Sequence, residues 1–215
     1  MAPSRTEKTT KAQRVSLPIR QPKKSKPAPK REPEEGGTVK DLAEIANMKS
    51  TATLQKDLDN LLGATPANRV GDATLVWKAY QGPELKSTPQ KDNVWSLFET
   101  NMRDIYKEAK DPYLKWAPAK KKKELYDKKS RYILLEAEDH SELAAFCMFR
   151  FEAEPNYEGE MEFVMYIYEI QVAKAFQGSG ICRRIFGALE QLSSRYEVQI
   201  IMLTVFKCKW LSPRF

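Results

Sequence analysis

The sequence predicts an α+β fold, a central mixed and mostly antiparallel sheet flanked by helices. Three observations predict it. Apolar residues recur at helical spacing through the first half of the chain. Short apolar runs separated by turn residues fill 131–172. One amphipathic helix and one almost wholly apolar strand then close the pattern. Helices first, then a strand meander, is the order of an α+β domain rather than of a doubly wound parallel sheet.

In chain order, Leu42, Ile45, Leu54, Leu58, Leu61 and Leu62 predict helix over residues 39–63, closed by Gly63. The run 73–80 (ATLVWKAY) predicts a strand. Val94, Trp95, Phe98, Met102, Ile105 and Tyr106 mark the buried side of a helix from about Asn93 to Lys110. Residues 111–123, with two prolines and four lysines in a row from Lys120, read as a loop or lid entering a short helix. Strands are predicted over 131–136 and 143–152 as a hairpin, and over Met161–Val172. Helix follows over Arg183–Arg195, with Ile181, Ile185, Leu189 and Leu192 on one stripe. A last strand spans Gln199–Phe206.

At 215 residues one domain is the default. Residues 1–40 hold 11 Lys/Arg against 4 Asp/Glu and 6 of the 13 prolines, whereas the remainder holds 25 of each sign, so the whole +7 net charge belongs to the first segment. Such a composition predicts a disordered basic tail over 1–40. Its stretch from Pro22 to Arg31 reads equally as a solvated linker or as an address or patch for nucleic acid or chromatin. The three cysteines, Cys147, Cys182 and Cys208, are odd in number and lack metal-ligand spacing, which argues against a disulfide framework or a zinc site. No apolar run approaches membrane-span length. The expectation is a soluble intracellular protein, a monomer with no membrane partner.

The segment Gln177-Gly178-Ser179-Gly180-Ile181-Cys182 lies between a predicted strand and a predicted helix. Two glycines let backbone approach a ligand closely, and the helix start offers unpaired N–H groups and positive dipole to a diphosphate. Arg183 and Arg184 oppose the dipole of a first helical turn but suit a neighbouring phosphate. A P-loop would need Gly-Lys-Ser/Thr, which is absent, and a Rossmann turn a third glycine where Arg183 stands. A glycine pair alone is more often simply a turn. With the strand meander before it and a helix and strand after it, the spacing fits the Gln/Arg-x-x-Gly-x-Gly/Ala loop of GNAT acetyltransferases, Cys182 departing from Gly/Ala in the last slot.

Tyr166 to Val172 (YIYEIQV) and Met202 to Lys207 (MLTVFK) make the likeness more specific. Together with Thr100-Asn101-Met102, Tyr106, Lys115-Trp116 and Phe149-Arg150-Phe151, they resemble the N-terminal acetyltransferase D family over about Leu42 to Lys207. That family acetylates the α-amine of histones two-A and four, whose tails begin Ser-Gly-Arg-Gly. The resemblance implies acetyl-CoA as co-substrate, no metal, histone tails as substrate, and a nuclear and cytoplasmic setting. It implies that Ile170, Gln171 and Val172 bind the pantetheine arm through their backbone. Gln177, Gly178, Ser179, Gly180, Ile181 and Cys182 would take the diphosphate. Tyr106, Glu152, Tyr168 and Thr204 would grip the peptide, Glu152 standing where the family commonly has Asp, and Glu169 would be the general base.

The chemistry agrees with those residue types. An α-amine has a pKa of about 7.7–8.0, so it must shed a proton before attacking a thioester. Glu169 can accept that proton, and Tyr166 and Tyr168 can orient the amine or protonate the leaving thiolate. On residue type alone, Glu169 reads as a solvated or paired strand carboxylate, Tyr166 and Tyr168 as one packed face, and Tyr106 as helix core. His140 stands alone in a predicted turn, which argues against a Ser-His-Asp triad. After Lys207 the likeness ends, with Lys209 where the family has an acetyl-CoA-contacting Asn. The expected domain is therefore residues 41–207, lacking the family's C-terminal helix and final strands, with 208–215 a tail outside the family pattern. The strand Gln199–Phe206 would then be an unprotected edge and the chain unstable or inactive. Two other readings stand beside this one: a GNAT enzyme acting on a lysine or small amine, and an inactive chromatin-binding remnant.

Overall fold

The computed structural model of the chain describes residues 12–18, 37–62, 69–70, 73–109, 115–138 and 140–206. Seven strands form one sheet in the order β1-β7-β6-β5-β4-β3-β2. They are β1 (Ala12–Pro18), β2 (Arg69–Val70), β3 (Ala73–Gln81), β4 (Arg131–Ala137), β5 (Leu143–Pro155), β6 (Met161–Val172) and β7 (Ile200–Phe206). All neighbours are antiparallel except β6 and β7. That single parallel pair follows from the crossover through helix α6 (Ile181–Arg195), since parallel neighbours need a long connection.

Helices cover both faces. On one face, α1 (Val39–Met48), α2 (Thr51–Leu62) and α6 pack Ala43, Leu54, Leu58, Ile185 and Leu189 onto Ile133, Cys147, Phe149 and Met165. On the other face lie α3 (Gly82–Lys86), α4 (Gln90–Ala109) and α5 (Pro118–Leu125). There Leu85, Val94, Phe98 and Leu125 meet Tyr132, Leu134, Phe146 and Met148, all nearly or fully inaccessible. The central strands are therefore buried on both sides, and β4 reads as a continuous apolar run rather than an alternating one.

The α+β class and the order of the predicted elements hold, with local differences. The helix expected over 39–63 is two helices, broken where Lys49 adopts an extended conformation. Thr38 starts the first with a capping box, its hydroxyl accepting from the Asp41 N–H while the Asp41 carboxylate accepts from the Thr38 N–H at 2.6 Å. The four-turn helix begins at Gln90 rather than Asn93, and α3 was not expected.

The largest correction concerns the first segment. Within the tail expected to be disordered, Ala12–Pro18 is a strand, whereas helix α1 begins at Val39 as the apolar spacing predicts. β1 runs antiparallel along β7, from Ala12 opposite Phe206 to Pro18 opposite Ile200. The edge expected to stand open is thus paired along its whole length. An unpaired apolar strand is a template for any extended segment within reach, and residues 12–18 supply one. Residues 1–11 and 19–36, which include the basic stretch from Pro22 to Arg31, and residues 207–215 lie outside the described residues.

Candidate active site

β6 and β7 pair only from Val164 with Ile200 to Ile167 with Leu203. Beyond that point β6 continues along β5 to Val172 and β7 along β1 to Phe206 without pairing to each other, so the sheet forks. A cleft of about 440 Å³ opens at the fork. Its floor is β6 from Tyr166 to Gln171, one wall is β7 from Leu203 to Phe206, and the other is α4 and α5 through Met102, Tyr106, Lys121 and Glu124.

A β-bulge decides which β6 side chains face this cleft. Met148 pairs with Glu169 and Phe149 with Ile167, leaving Tyr168 as the extra residue. Strict alternation would send Tyr168 and Glu169 to opposite faces of the sheet. With the bulge, Tyr166, Tyr168, Glu169 and Gln171 all line the one cleft.

Glu169 is 6% exposed. Its Oε1 lies 2.6 Å from the Lys121 Nζ, and its Oε2 accepts from the Gln171 amide at 2.8 Å. The Gln171 carbonyl in turn accepts from Asn101 Nδ2 at 3.1 Å, which also donates to the Val172 carbonyl. Burial pushes the Glu169 carboxyl above its ordinary value, while the Lys121 ammonium and the hydrogen bonds from Lys121 and Gln171 pull against that rise. For Lys121, burial works to lower the pKa, but Glu169, Tyr106 and Glu124 more than offset it, and the ammonium is held above the ordinary lysine value. Lys121 also bonds Glu124 and lies 5.3 Å over the Phe98 ring. Its role was hidden in the lysine run: helical spacing from Pro118 sets Lys121 and Leu125 on one inward face, whereas Lys120, Lys122 and Lys123 are exposed.

Tyr168 donates to Glu152 Oε1 at 2.8 Å and lies under the Arg150 guanidinium, 4.5 Å from the ring centre. Burial, then the bonded Glu152 carboxylate, raises its phenol well above the ordinary value, so it stays protonated. The Tyr166 hydroxyl is 2.5 Å from the hydroxyl of Thr204, bridging the two arms of the fork. Tyr106 is held edge-on to Phe98, Trp116 and Phe206 and its pKa is pushed up to about 12, chiefly by burial and then by Glu169. Of the peptide residues expected from the sequence, Tyr106, Tyr168 and Thr204 line the cleft directly, while Glu152 reaches it through Tyr168.

The predicted coenzyme residues form the continuation of β6. A 3-10 turn, Lys174–Phe176, leads into Gln177, whose side chain donates to the Val172 carbonyl at 3.2 Å. Gly178 and Gly180 have φ of +79° and +82°, the left-handed region that excludes most residues, and a Cβ at either would meet only open space. Conformation, not crowding, therefore demands glycine there. Ser179 Oγ donates to the Phe176 carbonyl, and Gly180 caps α6 without any side-chain hydrogen bond. Ile181 turns its side chain into the core, whereas Cys182 and Arg183 are exposed. The start of α6 thus presents bare N–H groups on the same edge as the fork. The open left-handed loop, the uncapped helix start and the unpaired β6 backbone together fit an extended diphosphate-bearing ligand.

Residues 94–209 match the profile of the Acetyltransferase (GNAT) family, more than half of the chain. The chain belongs to the GNAT acetyltransferase family. Members of this family use acetyl-CoA, and the sequence expectation of that co-substrate holds. Similar solved structures include a possible acetyltransferase from Clostridium difficile 630, with 13% identity over 63% of this chain and 82% of that one, TM-score 0.45. A predicted acetyltransferase with acetyl-CoA from Clostridium acetobutylicum has 14% identity, with 62% and 82% covered and a TM-score of 0.44. A ribosomal-protein-alanine N-acetyltransferase from Brucella melitensis biovar Abortus 2308 has 12% identity, with 60% and 78% covered and a TM-score of 0.42. Among the described residues of this GNAT domain, no group of three or more His, Cys, Asp or Glu is placed to hold a metal.

Proposed function

We propose that this GNAT domain transfers the acetyl group of acetyl-CoA to the α-amine of a basic peptide, the N-terminus of histones two-A and four being the substrate of the family its sequence resembles. The observation that carries the reading is the forked β6–β7 pair with a buried carboxylate, Glu169, at its base. Acetyl-CoA would supply a thioester-activated acetyl group. Ile170, Gln171 and Val172 would hold it through main-chain groups that β7 leaves unpaired, and the loop from Gln177 to Cys182 would hold its diphosphate through the N–H groups that open α6.

The protein's own part is then to bind and deprotonate the acceptor. An acceptor ammonium entering the cleft meets the Glu169 carboxylate, which takes its proton at Oε1 or Oε2 directly or through water. Lys121, 2.6 Å away, opposes the rise in proton affinity that burial imposes on that carboxylate. Tyr168, fixed between Glu152 and Arg150, and Tyr166, tied to Thr204, orient the amine. The acidic groups about the cleft, Glu124 and Glu152, favour an acceptor carrying arginine near its amino end.

Purified full chain, acetyl-CoA and a Ser-Gly-Arg-Gly peptide are expected to give acetyl-peptide. The same peptide blocked at its N-terminus, with a lysine added, is expected to stay unmodified. Product on the blocked peptide would move the assignment to side-chain amines, and product on neither would remove the peptide reading.

A further inference from the structure

A second concavity, of about 800 Å³, lies on the helical face outside the acetyl-transfer cleft. Lys86 comes to it from α3, Lys91 from α4, Lys122 and Lys123 from α5, and Lys128 from the turn that follows. Asp92 and Asp127 are the only carboxylates among its lining residues. Five cations against two anions is a local excess in a region, 41–215, that as a whole is balanced at 25 of each. We propose that this concavity binds the phosphate backbone of a nucleic-acid duplex, without sequence preference.

The site is built, not incidental. Gly82 lies so close to the turn after α5 that a Cβ there would stand 2.3 Å from the Asp127 carbonyl, so α3 can seat against the turn only with glycine. The Gly82 N–H donates to the Ser130 carbonyl at 2.9 Å. The Tyr126 hydroxyl donates to the Lys91 carbonyl at 2.8 Å and ties α4 to the same turn. Arg150 Nη2 anchors the end of α5 by donating to the Glu124 carbonyl at 2.6 Å. Four elements thus hold their lysines on one rigid frame, and Lys122 is further set by lying 4.3 Å over the Trp95 ring.

The chemistry of the lining selects the ligand class. A duplex carries about one negative charge per 1.7 Å, the charge density that best repays a cluster of ammonium groups through counterion release. Pro83 and Tyr126 are the only apolar or aromatic lining residues, so nothing there would insert into a membrane. The Arg, Asn and Gln side chains that read base edges are absent from the lining, which fits contact with the backbone rather than with the bases. Helix α5 carries Lys121 into the catalytic cleft and Lys122 and Lys123 into this one, so a bound duplex would lie about one helix diameter, ~10 Å, from the acceptor site.

Fluorescence anisotropy of a labelled 20-base-pair duplex (about two turns) with the full chain tests the proposal. Reversing Lys86, Lys91, Lys123 and Lys128 to Glu is expected to weaken binding at least tenfold and to lower the slope of log K against log salt by about 3–4. Reversing Lys23, Lys24, Lys26 and Lys30 instead should leave most of that slope in place. Protection of Lys91, Lys123 and Lys128 from amine-reactive labelling by the duplex, read by mass spectrometry on the unaltered chain, supplies the same answer without a variant. The proposal is overturned if the concavity variant folds and binds as the parent does, if the tail variant alone abolishes binding, or if the duplex protects none of these lysines. Vesicles rich in phosphatidylserine or a poly-glutamate chain binding as tightly as the duplex would overturn it too.

Discussion

Lys121→Met removes an ammonium 2.6 Å from a carboxylate that is 6% exposed. Breaking one side of a buried ion pair leaves the other charge uncompensated at a cost of about 3–5 kcal/mol. A carboxyl escapes that cost by taking up a proton, so the loss shows as proton affinity. About 3 kcal/mol at 1.36 kcal/mol per tenfold is roughly a hundredfold. If Glu169 is the base, it must be ionised to work, and the acid limb of kcat/KM for a free-N-terminus peptide should move about two pH units toward alkaline in Lys121→Met. Lys121→Arg, which restores the charge, should bring most of the limb back. Activity of the Met variant should therefore be poor at neutral pH and recover at higher pH. Steady-state rates across the pH range, with melting curves for each variant, make the measurement. A cooperative melt with an unmoved acid limb would refute the claim that Lys121 lowers the proton affinity of Glu169.

Glu169→Gln should lower kcat by about 10²–10⁴ and should also lower the melting temperature, because it takes one carboxylate from the buried Lys121 ammonium and sets an amide NH2 against the Gln171 donor. Gly180→Ala forces a side chain into φ of +82° and should cost about 1–2 kcal/mol, seen as a lower melting temperature together with a raised KM for acetyl-CoA. The folded pKa values of Tyr80 and Tyr106, about 12, lie above the ordinary 10.0, so their protonated forms stabilise the fold fully below pH 10 and that contribution is lost as pH rises toward 12. Lys121, raised above 10.5, adds a loss of the same sign, so the melting temperature should fall steeply across that window and less so in Tyr106→Phe with Lys121→Met. Removing residues 1–18 should uncover the β7 edge, and light scattering should report self-association that the full chain does not show.

Much of the fold was legible because apolar periodicity directly encodes burial. β6 was read from Met161 to Val172 with both bounds as observed, and β4 and β5 were read as the two strands of a hairpin. The glycine loop was legible for a conformational reason, its two positive-φ positions being ones that only glycine fills at little cost. The pairing of β1 was not legible. Ala12–Pro18 lies in a stretch whose charge and proline content predict disorder, and its partner, β7, is nearly 190 residues away in sequence. Lys121 was missed because four consecutive lysines look alike until a helix phase separates one of them from the other three.

The bulge at Tyr168 shows why the residue pattern alone could not join these side chains in one cleft. Read as regular β structure, Tyr166 and Tyr168 share a face and Glu169 does not, so no alternating pattern could join a phenol and an acid as neighbours in one cleft. One extra residue opposite the Met148–Phe149 step changes the phase, and from there Glu169 and Gln171 turn toward α4 and α5. The same step lies next to Ile167, the last β6 residue paired with β7. The register slip that aims the carboxylate into the cleft and the parting of the strands that opens the cleft therefore occur at adjoining residues. A bulged strand bends and twists more strongly than a regular one, which accounts for both in a single irregularity. Deleting Tyr168 should then restore regular pairing while leaving Glu169 opposite Met148 and in the cleft, so turnover should fall only as far as it does in Tyr168→Ala, and a complete loss in the deletion alone would refute this account of the register.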